Sequence, residues 1–389
     1  MDGCGALCGV RVLDLSTVGP AARASRILSD YGADVVKVGA VPRSGVVQIT
    51  PPHYAYSGQR GMRRMSFDLK SEAGCSAFLH LADAADVVIE SFRPGVAARL
   101  GVGAGDLLSR NPRLVYCSTS GFGQDGPRRS WASHDLNYLA VGGFLDCSGR
   151  TADGRPALPG ATVADIAAGG MQAAMSIMAA LLERNRTGTG QHLDVSIADG
   201  VFAMMSLYVD EYLATGVEPG PGHYILTGRY ACYDTYTCGD RRHLAVAAIE
   251  PQFWANLCRA LGLERWIDHQ FDDSVQDDVR SDVGAVIATR SRDEWVGVLG
   301  PGDCCVAPVN TVAEATVDEQ FLARRVVLDA EHPVAGSFRQ VAAVWAGTVE
   351  PNEPVVVPDA AISDAVELLT EAGVDPDRVR QLVEDGVVA

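Results

Sequence analysis

Residues 10–38 read VRVLDLSTVGPAARASRILSDYGADVVKV, and the spacing of apolar positions within them decides the fold class. Val10 to Leu15 is a short apolar run suited to a buried strand, Ala21 to Tyr31 has helical spacing, and Asp34 to Val38 is a second apolar run. Strand, helix and strand in that order make a βαβ unit, whose crossover leaves the strands parallel. Further along, Ser71 to Ala84 reads as a helix and Asp86 to Glu90 (DVVIE), Leu114 to Thr119 (LVYCST) and Gln191 to Ser196 as strands. Alternation of this kind predicts an α/β fold with a parallel sheet covered by helices.

The helix expected over Ile197 to Leu213 is followed by Gly216 to Gly222 (GVEPGPG), a change of composition that marks a linker. Beyond it, Tyr230 to Thr237 and His243 to Ala247 read as strands around the polar turn CGDRR, and Pro251 to Leu261 reads as a helix. The expected division is a large domain over 1–215, a smaller α+β domain over 216–327 and a C-terminal segment over 328–389. Composition leaves open whether that segment forms a third unit or returns to the first.

The 389 residues, 47% of them hydrophobic, can bury a sizeable core. Forty-nine acidic against thirty-two basic residues give a formal charge of -17, which repels nucleic acid and anionic membrane surfaces, so neither is an expected partner. A polyanionic ligand needs basic residues gathered at one place. The ten cysteines, including Cys4 with Cys8, Cys232 with Cys238 and the pair Cys304-Cys305, lack zinc-site or redox-motif spacing, so free buried thiols and no metal are expected. The N-terminal MDGCGALCGVRVLDLS lacks the basic and apolar regions of a secretory signal, which points to the cytoplasm. The most apolar stretch, Ile166 to Leu182, is short for a membrane span and reads as a buried helix.

A literal GxGxxG occurs at Gly121, Gly123 and Gly126, but Pro127-Arg128-Arg129-Ser130 follows where a dinucleotide fingerprint needs an apolar helix. The first βα turn, Ser16 to Pro20, also lacks the glycines, so no nicotinamide or flavin is expected. Just past the glycines, Ser133 to Tyr138 reads SHDLNY, which places His134 near a helix N-terminus. A neutral imidazole there can accept a proton, or it can merely cap the helix. Asp165 stands in the first turn of the apolar helix, ahead of the small-residue run Ala167 to Gly170, which admits close approach of another group. It too can be an ordinary N-cap, as can Glu250, which precedes Pro251. Arg60, Arg63, Arg64 and Lys70 cluster in one stretch, and Arg93 and Arg99 follow DVVIE. Cations at the carboxyl ends of parallel strands can hold phosphates, or they can form a solvated face.

An ordered set of segments resembles the class III CoA-transferase family: residues 9–15 (GVRVLDL), 32–38 (GADVVKV), 68–70 (DLK), 92–96 (FRPGV), 121–127 (GFGQDGP), 190–196 (GQHLDVS) and 332–336 (HPVAG). Within it, His134-Asp135, residues 233–236 (YDTY) and residues 249–253 (IEPQF) are similar to the α-methylacyl-CoA racemase branch. The resemblance implies an interlocked homodimer with a large Rossmann-like domain and a smaller domain, the C-terminal part returning to the large one. It implies that His134 and Asp165 exchange protons with the carbon α to a thioester through an enolate, and that Glu250 supports the histidine. It maps coenzyme A contacts onto Phe67, Asp68, Leu69, Lys70, Ser91, Phe92, Arg93, Arg99, Ser133, Asp135, Asn137 and Tyr138. Coenzyme A then enters as part of the acyl-CoA substrate, with no separate cofactor. The alternative within the family is CoA transfer between a thioester and a free carboxylate, with Asp165 as nucleophile. An acyl-CoA-binding protein without turnover is a third reading. Two departures stand out: Gly39 to Arg43 replaces a more basic stretch, and Arg23 enters the first βα turn, next to the expected acyl pocket.

Overall fold

The computed structural model describes residues 5–42, 51–350 and 354–389, so Arg43 lies outside the described residues. The chain forms two compact units, one of Met1–Phe144, Pro159–Leu207 and Gln320–Ala389, the other of Leu145–Leu158 and Tyr208–Glu319. Where the linker signal suggested a division at 215/216 and at 327/328, the units part at 207/208 and 319/320. A short excursion, Leu145–Leu158, joins the second unit without any signal in composition.

The first unit is built on strands β1 (Arg11–Asp14), β2 (Asp34–Ala40), β3 (Arg63–Phe67), β4 (Val87–Glu90), β5 (Val115–Ser120) and β6 (Gln191–Ser196). They pair in the order β3-β2-β1-β4-β5-β6, all parallel. From β3 at one edge the chain crosses to β4 on the far side of β1, so the strand order reverses between β1 and β4. In open α/β sheets a crevice opens at the carboxyl ends beside such a switch.

Both faces of the sheet are covered, as parallel sheets require. Leu13, Val36, Val38, Met65, Phe67, Val88 and Tyr116 face Phe78 and Leu81 of the helix Glu72–Asp83. Leu368, Leu369, Val379 and Leu382, from the helices Ala365–Glu371 and Pro376–Glu384, complete that layer. On the other face, Val12, Val35, Ile89, Val115 and Val195 pack on Ile27 and Leu28 of the helix Gly19–Asp30 and on Ala173, Ile177 and Leu181 of a longer helix.

β3 is the strand that apolar spacing does not reveal, because RRMSF carries two arginines. Arg63 reaches Asp34 on β2 and Glu371 in the C-terminal part. At the same edge Phe67 bridges Val388, so the chain's last residues cover β3.

The longer helix is 24 residues, Ala164–Thr187, and its first part, Ala164–Met171, is wound as a π-helix. Length and composition would allow it to cross a membrane, and 44% of its apolar window is buried. Met171 and Met175 on it are exposed, so they are not core residues. Among the other described segments, Val327–His332 pairs antiparallel with Gly336–Val341 in the first unit. The second unit has an antiparallel sheet of Tyr233–Thr237, His243–Ala247 and Val306–Pro308, backed by a core of Trp254, Leu257, Val283 and Trp295. Cys8 is disulfide-bonded and Cys305 is exposed, which corrects the expectation of uniformly free, buried thiols; the remaining described cysteines are free.

Candidate active site

Three segments of the first unit begin at the carboxyl ends of the strands: Gly19–Asp30 after β1, the helix Asp135–Val141 after β5, and Ala164–Thr187 ahead of β6. Small residues let two of them meet. A Cβ on Gly169 would stand 2.5 Å from Pro20 Cβ, and one on Gly170 would stand 2.8 Å from Arg23 Cβ. The group that the run Ala167–Gly170 admits is therefore the first turn of the β1 helix. At the same place Gln172 N–H donates to Ala167 O, five residues back, which is the wider π turn often found at functional sites.

His134 is the residue before Asp135–Val141, and it is exposed. Its backbone N–H donates to Asn137 Oδ1 at 3.0 Å. Ser133 Oγ donates to the Tyr138 hydroxyl at 3.0 Å, and that hydroxyl donates to Ser133 O at 3.1 Å. Tyr138 is buried. Asn137, Tyr138 and Ser133 thus hold the turn that carries His134. Gly121 explains the glycine-rich stretch before it, since a Cβ there would stand 2.7 Å from Ser133 Oγ and from two atoms of Tyr138. Gly123 and Gly126 take φ of 81° and 78°, left-handed values suited to a turn.

Asp135 connects the histidine to the second candidate. Its Oδ1 accepts the backbone N–H of Asp165 at 2.8 Å, so the start of the π-helix is tied to the residue next to His134. Burial pushes the half-buried Asp165 carboxyl above the ordinary carboxylate range, the Asp135 charge pushes the same way, and Arg23 and His134 pull it back. His134, Asp135 and Asp165 come together in one unit. Glu250 is carried by the other, where it precedes Pro251–Leu261, is exposed and makes no side-chain capping bond.

A cavity of about 320 Å³ opens at the carboxyl ends of β1, β2 and β3. Leu15, Thr17, Val38 to Val41, Phe67 to Lys70, Phe92 and Leu100 line it. Of the expected contacts, Asp68, Leu69, Lys70 and Phe92 therefore share one apolar-walled recess. Phe67 is there too, but it is 1% exposed and stacks edge-on with Phe78, so it is a wall of the core. Ser91, Arg93 and Arg99 are exposed and outside the lining. Arg60, Arg63 and Arg64 are not free cations: Arg60 pairs with Asp30, Arg63 with Asp34 and Glu371, and Arg64 donates to Gln59.

Sequence reasoning missed three residues that shape this region. Glu90, buried at the end of β4, accepts the Phe92 N–H at 2.6 Å and so fixes the turn that carries Phe92 into the recess. Asp14 and Lys37, side by side on β1 and β2, form a buried ion pair. Their signal was a charged residue inside each apolar strand run.

A sequence model described as CoA-transferase family III matches residues 7–358. The chain belongs to that family. It is 33% identical over 385 residues to an alpha-methylacyl-CoA racemase of Mus musculus, covering 98% of this chain and 97% of that protein. It is also 31% identical over 398 residues to a succinyl-CoA:mesaconate CoA-transferase of Haloarcula hispanica, covering 95% and 97%. The fold is similar to that of a CAIB/BAIF family protein from Brucella suis, with a TM-score of 0.74 at 26% identity, covering 95% of this chain and 100% of that one. As a member of CoA-transferase family III, the chain is an enzyme of the transferase and racemase group.

Proposed function

We propose that this family III enzyme interconverts the 2R and 2S epimers of 2-methylacyl-CoA thioesters by proton transfer at Cα. The observation that supports the reading is the Asp135 bridge: Asp135, next to His134, accepts the backbone N–H of Asp165 at 2.8 Å, and the Asp165 carboxyl lies above its ordinary range. His134 takes the Cα proton from one face, the electrons move into the thioester as an enolate, and Asp165 delivers a proton to the other face; the roles exchange for the opposite epimer. A carboxyl held above its ordinary range is suited to the donor half of that cycle. We assign the thioester oxygen to the backbone N–H of Asp135, where such a donor is worth about 3–4 kcal/mol as charge develops.

In this reading the nucleotide end of coenzyme A occupies the recess lined by Asp68 to Lys70 and Phe92, with Arg93 and Arg99 on its phosphates. Glu250 has the supporting role that the racemase resemblance implies. The same reading puts the enzyme in the cytoplasm as an interlocked homodimer; exposed Met175, Leu182, Phe202 and Leu207 are the kind of surface a second chain covers. One epimer of a 2-methylacyl-CoA incubated in deuterated water should gain deuterium at Cα and lose its configuration together, and His134→Ala should stop both. Retention of configuration without exchange rejects the reading.

A second reading, CoA transfer through an anhydride on Asp165, draws support from Arg23, whose charge favours an anionic and hence nucleophilic Asp165. It is supported further by the similarity to the succinyl-CoA:mesaconate CoA-transferase. Under it, hydroxylamine should inactivate the enzyme only after acyl-CoA is added, and His134→Ala should retain transfer.

A further inference from the structure

We propose that Arg23 is a carboxylate-binding residue at the acyl end of this site, so that the preferred substrate presents a second carboxylate there; this rests on the assignment of Asp165 as the reacting group. The β1 helix lies so close to Ala164–Met171 that the Arg23 side chain emerges at their seam. One guanidinium nitrogen donates to Thr162 Oγ1 at 2.9 Å, and the guanidinium carbon stands 5.2 Å from the centre of the Tyr56 ring. Tyr56 is held in a left-handed backbone conformation, φ 50°, and its hydroxyl accepts the Gly19 N–H at 3.0 Å, so the ring that flanks Arg23 is fixed in place.

The guanidinium is also incompletely used. It has five N–H donors in a planar fork. Thr162 takes one, and Nε is buried without a hydrogen-bond partner. Among the described residues no carboxylate forms an ion pair with Arg23, whereas Arg11, Arg26, Arg60, Arg63 and Arg184 in the same unit each have one. The Arg23 charge acts on the half-buried Asp165 carboxyl without a direct ion pair, so the fork keeps donors for a further anion.

Its position favours one. Asp165 and Asp135 would repel a substrate carboxylate, and Arg23 is the fixed cation beside them that offsets the repulsion. An acyl chain ending in a methyl group gains nothing from it. A carboxylate can accept two parallel bonds from the fork, the geometry that sets arginine apart from lysine. That carboxylate can belong to the thioester's own acyl chain or to a separate acid accepting CoA.

Calorimetric binding tells these apart. The wild-type chain is titrated with a 2-methyl dicarboxylic mono-CoA thioester, with the 2-methyl monocarboxylic thioester of equal chain length, and with the free dicarboxylic acid. A charge-assisted bond should make the carboxylated thioester bind roughly 10- to 100-fold more tightly than its neutral counterpart. The ratio should fall close to one in Arg23→Met and recover in part in Arg23→Lys. If instead the free acid binds and Arg23→Met loses it, the carboxylate comes from a separate acceptor. Equal affinity of the wild type for both thioesters with no binding of the free acid, or a preference that survives Arg23→Met, overturns the assignment. Deuterium exchange on the same samples separates the two failures. Binding preference without exchange removes the racemase reading and leaves Arg23, and exchange without preference does the reverse.

Discussion

Gly121→Ala is the substitution that most directly tests whether the geometry around His134 matters. Its backbone is not left-handed, so alanine is free of backbone strain there, and the effect is steric alone. The new Cβ would stand 2.7 Å from Ser133 Oγ and from Tyr138 Cε1 and Oη, and ordinary contact at 3.4 Å requires a shift of about 0.7 Å. Tyr138 is 5% exposed and its hydroxyl is bonded to Ser133 at both ends, so the ring cannot swing aside cheaply. The turn that holds His134 must move with it. Overpacking of this kind costs about 1–3 kcal/mol of stability. A misplacement near 1 Å at a reacting group lowers rates by up to roughly 100-fold. Urea unfolding and the rate of deuterium entry at Cα measure the two effects, with Gly105→Ala as the control, because its Cβ meets only open space. Wild-type exchange together with wild-type stability in Gly121→Ala would refute the claim that the Ser133–Tyr138 clamp sets the histidine.

Lys37→Met strands Asp14, which is fully buried and among the described residues then keeps the Ser16 N–H at 2.8 Å. Loss of about 3–5 kcal/mol is expected, read as a lower urea midpoint at unchanged slope, and the double variant Asp14→Leu with Lys37→Met should recover most of it. For Asp165 the folded-state pKa is raised, so the native chain holds a proton that the unfolded chain has released. Its contribution is present below the ordinary carboxylate pKa and is lost as pH rises through the raised value. Asp165→Asn should therefore be the more stable chain at neutral pH and lack that part of the decline; a wild type and variant with parallel stability profiles would contradict it.

Apolar spacing makes β1, β2, β4 and β5 readable because their central residues are buried, whereas the edge strand β6 shows itself by alternation, with Leu193 and Val195 set between polar residues. β3 escapes it because Arg63 pairs with Asp34 and Glu371, both distant in sequence, and Arg64 turns back to Gln59, contacts that give an arginine strand its reason to exist. The same arginines look like a phosphate cluster in one dimension, and only the fold shows them engaged. His134 and Asp165 are nameable from local context, but the Asp135 side chain that joins them is a contact across thirty residues that no spacing rule contains. Arg23 was visible as an oddity in the first turn, and its place beside Asp165 and the Tyr56 ring is a property of the packed state.

The large unit is sequence-discontinuous: one face of its sheet is closed by Leu368, Leu369, Val379 and Leu382, with the whole second unit lying between them and the strands they cover. During synthesis the strands leave the ribosome long before those helices exist, so Phe67, Phe78 and Leu81 wait uncovered while more than a hundred residues are added. Closure of that sheet face is thereby a late event in the life of the nascent chain. A chaperone that shelters that bare face during synthesis would keep it from aggregating before the C-terminal helices arrive.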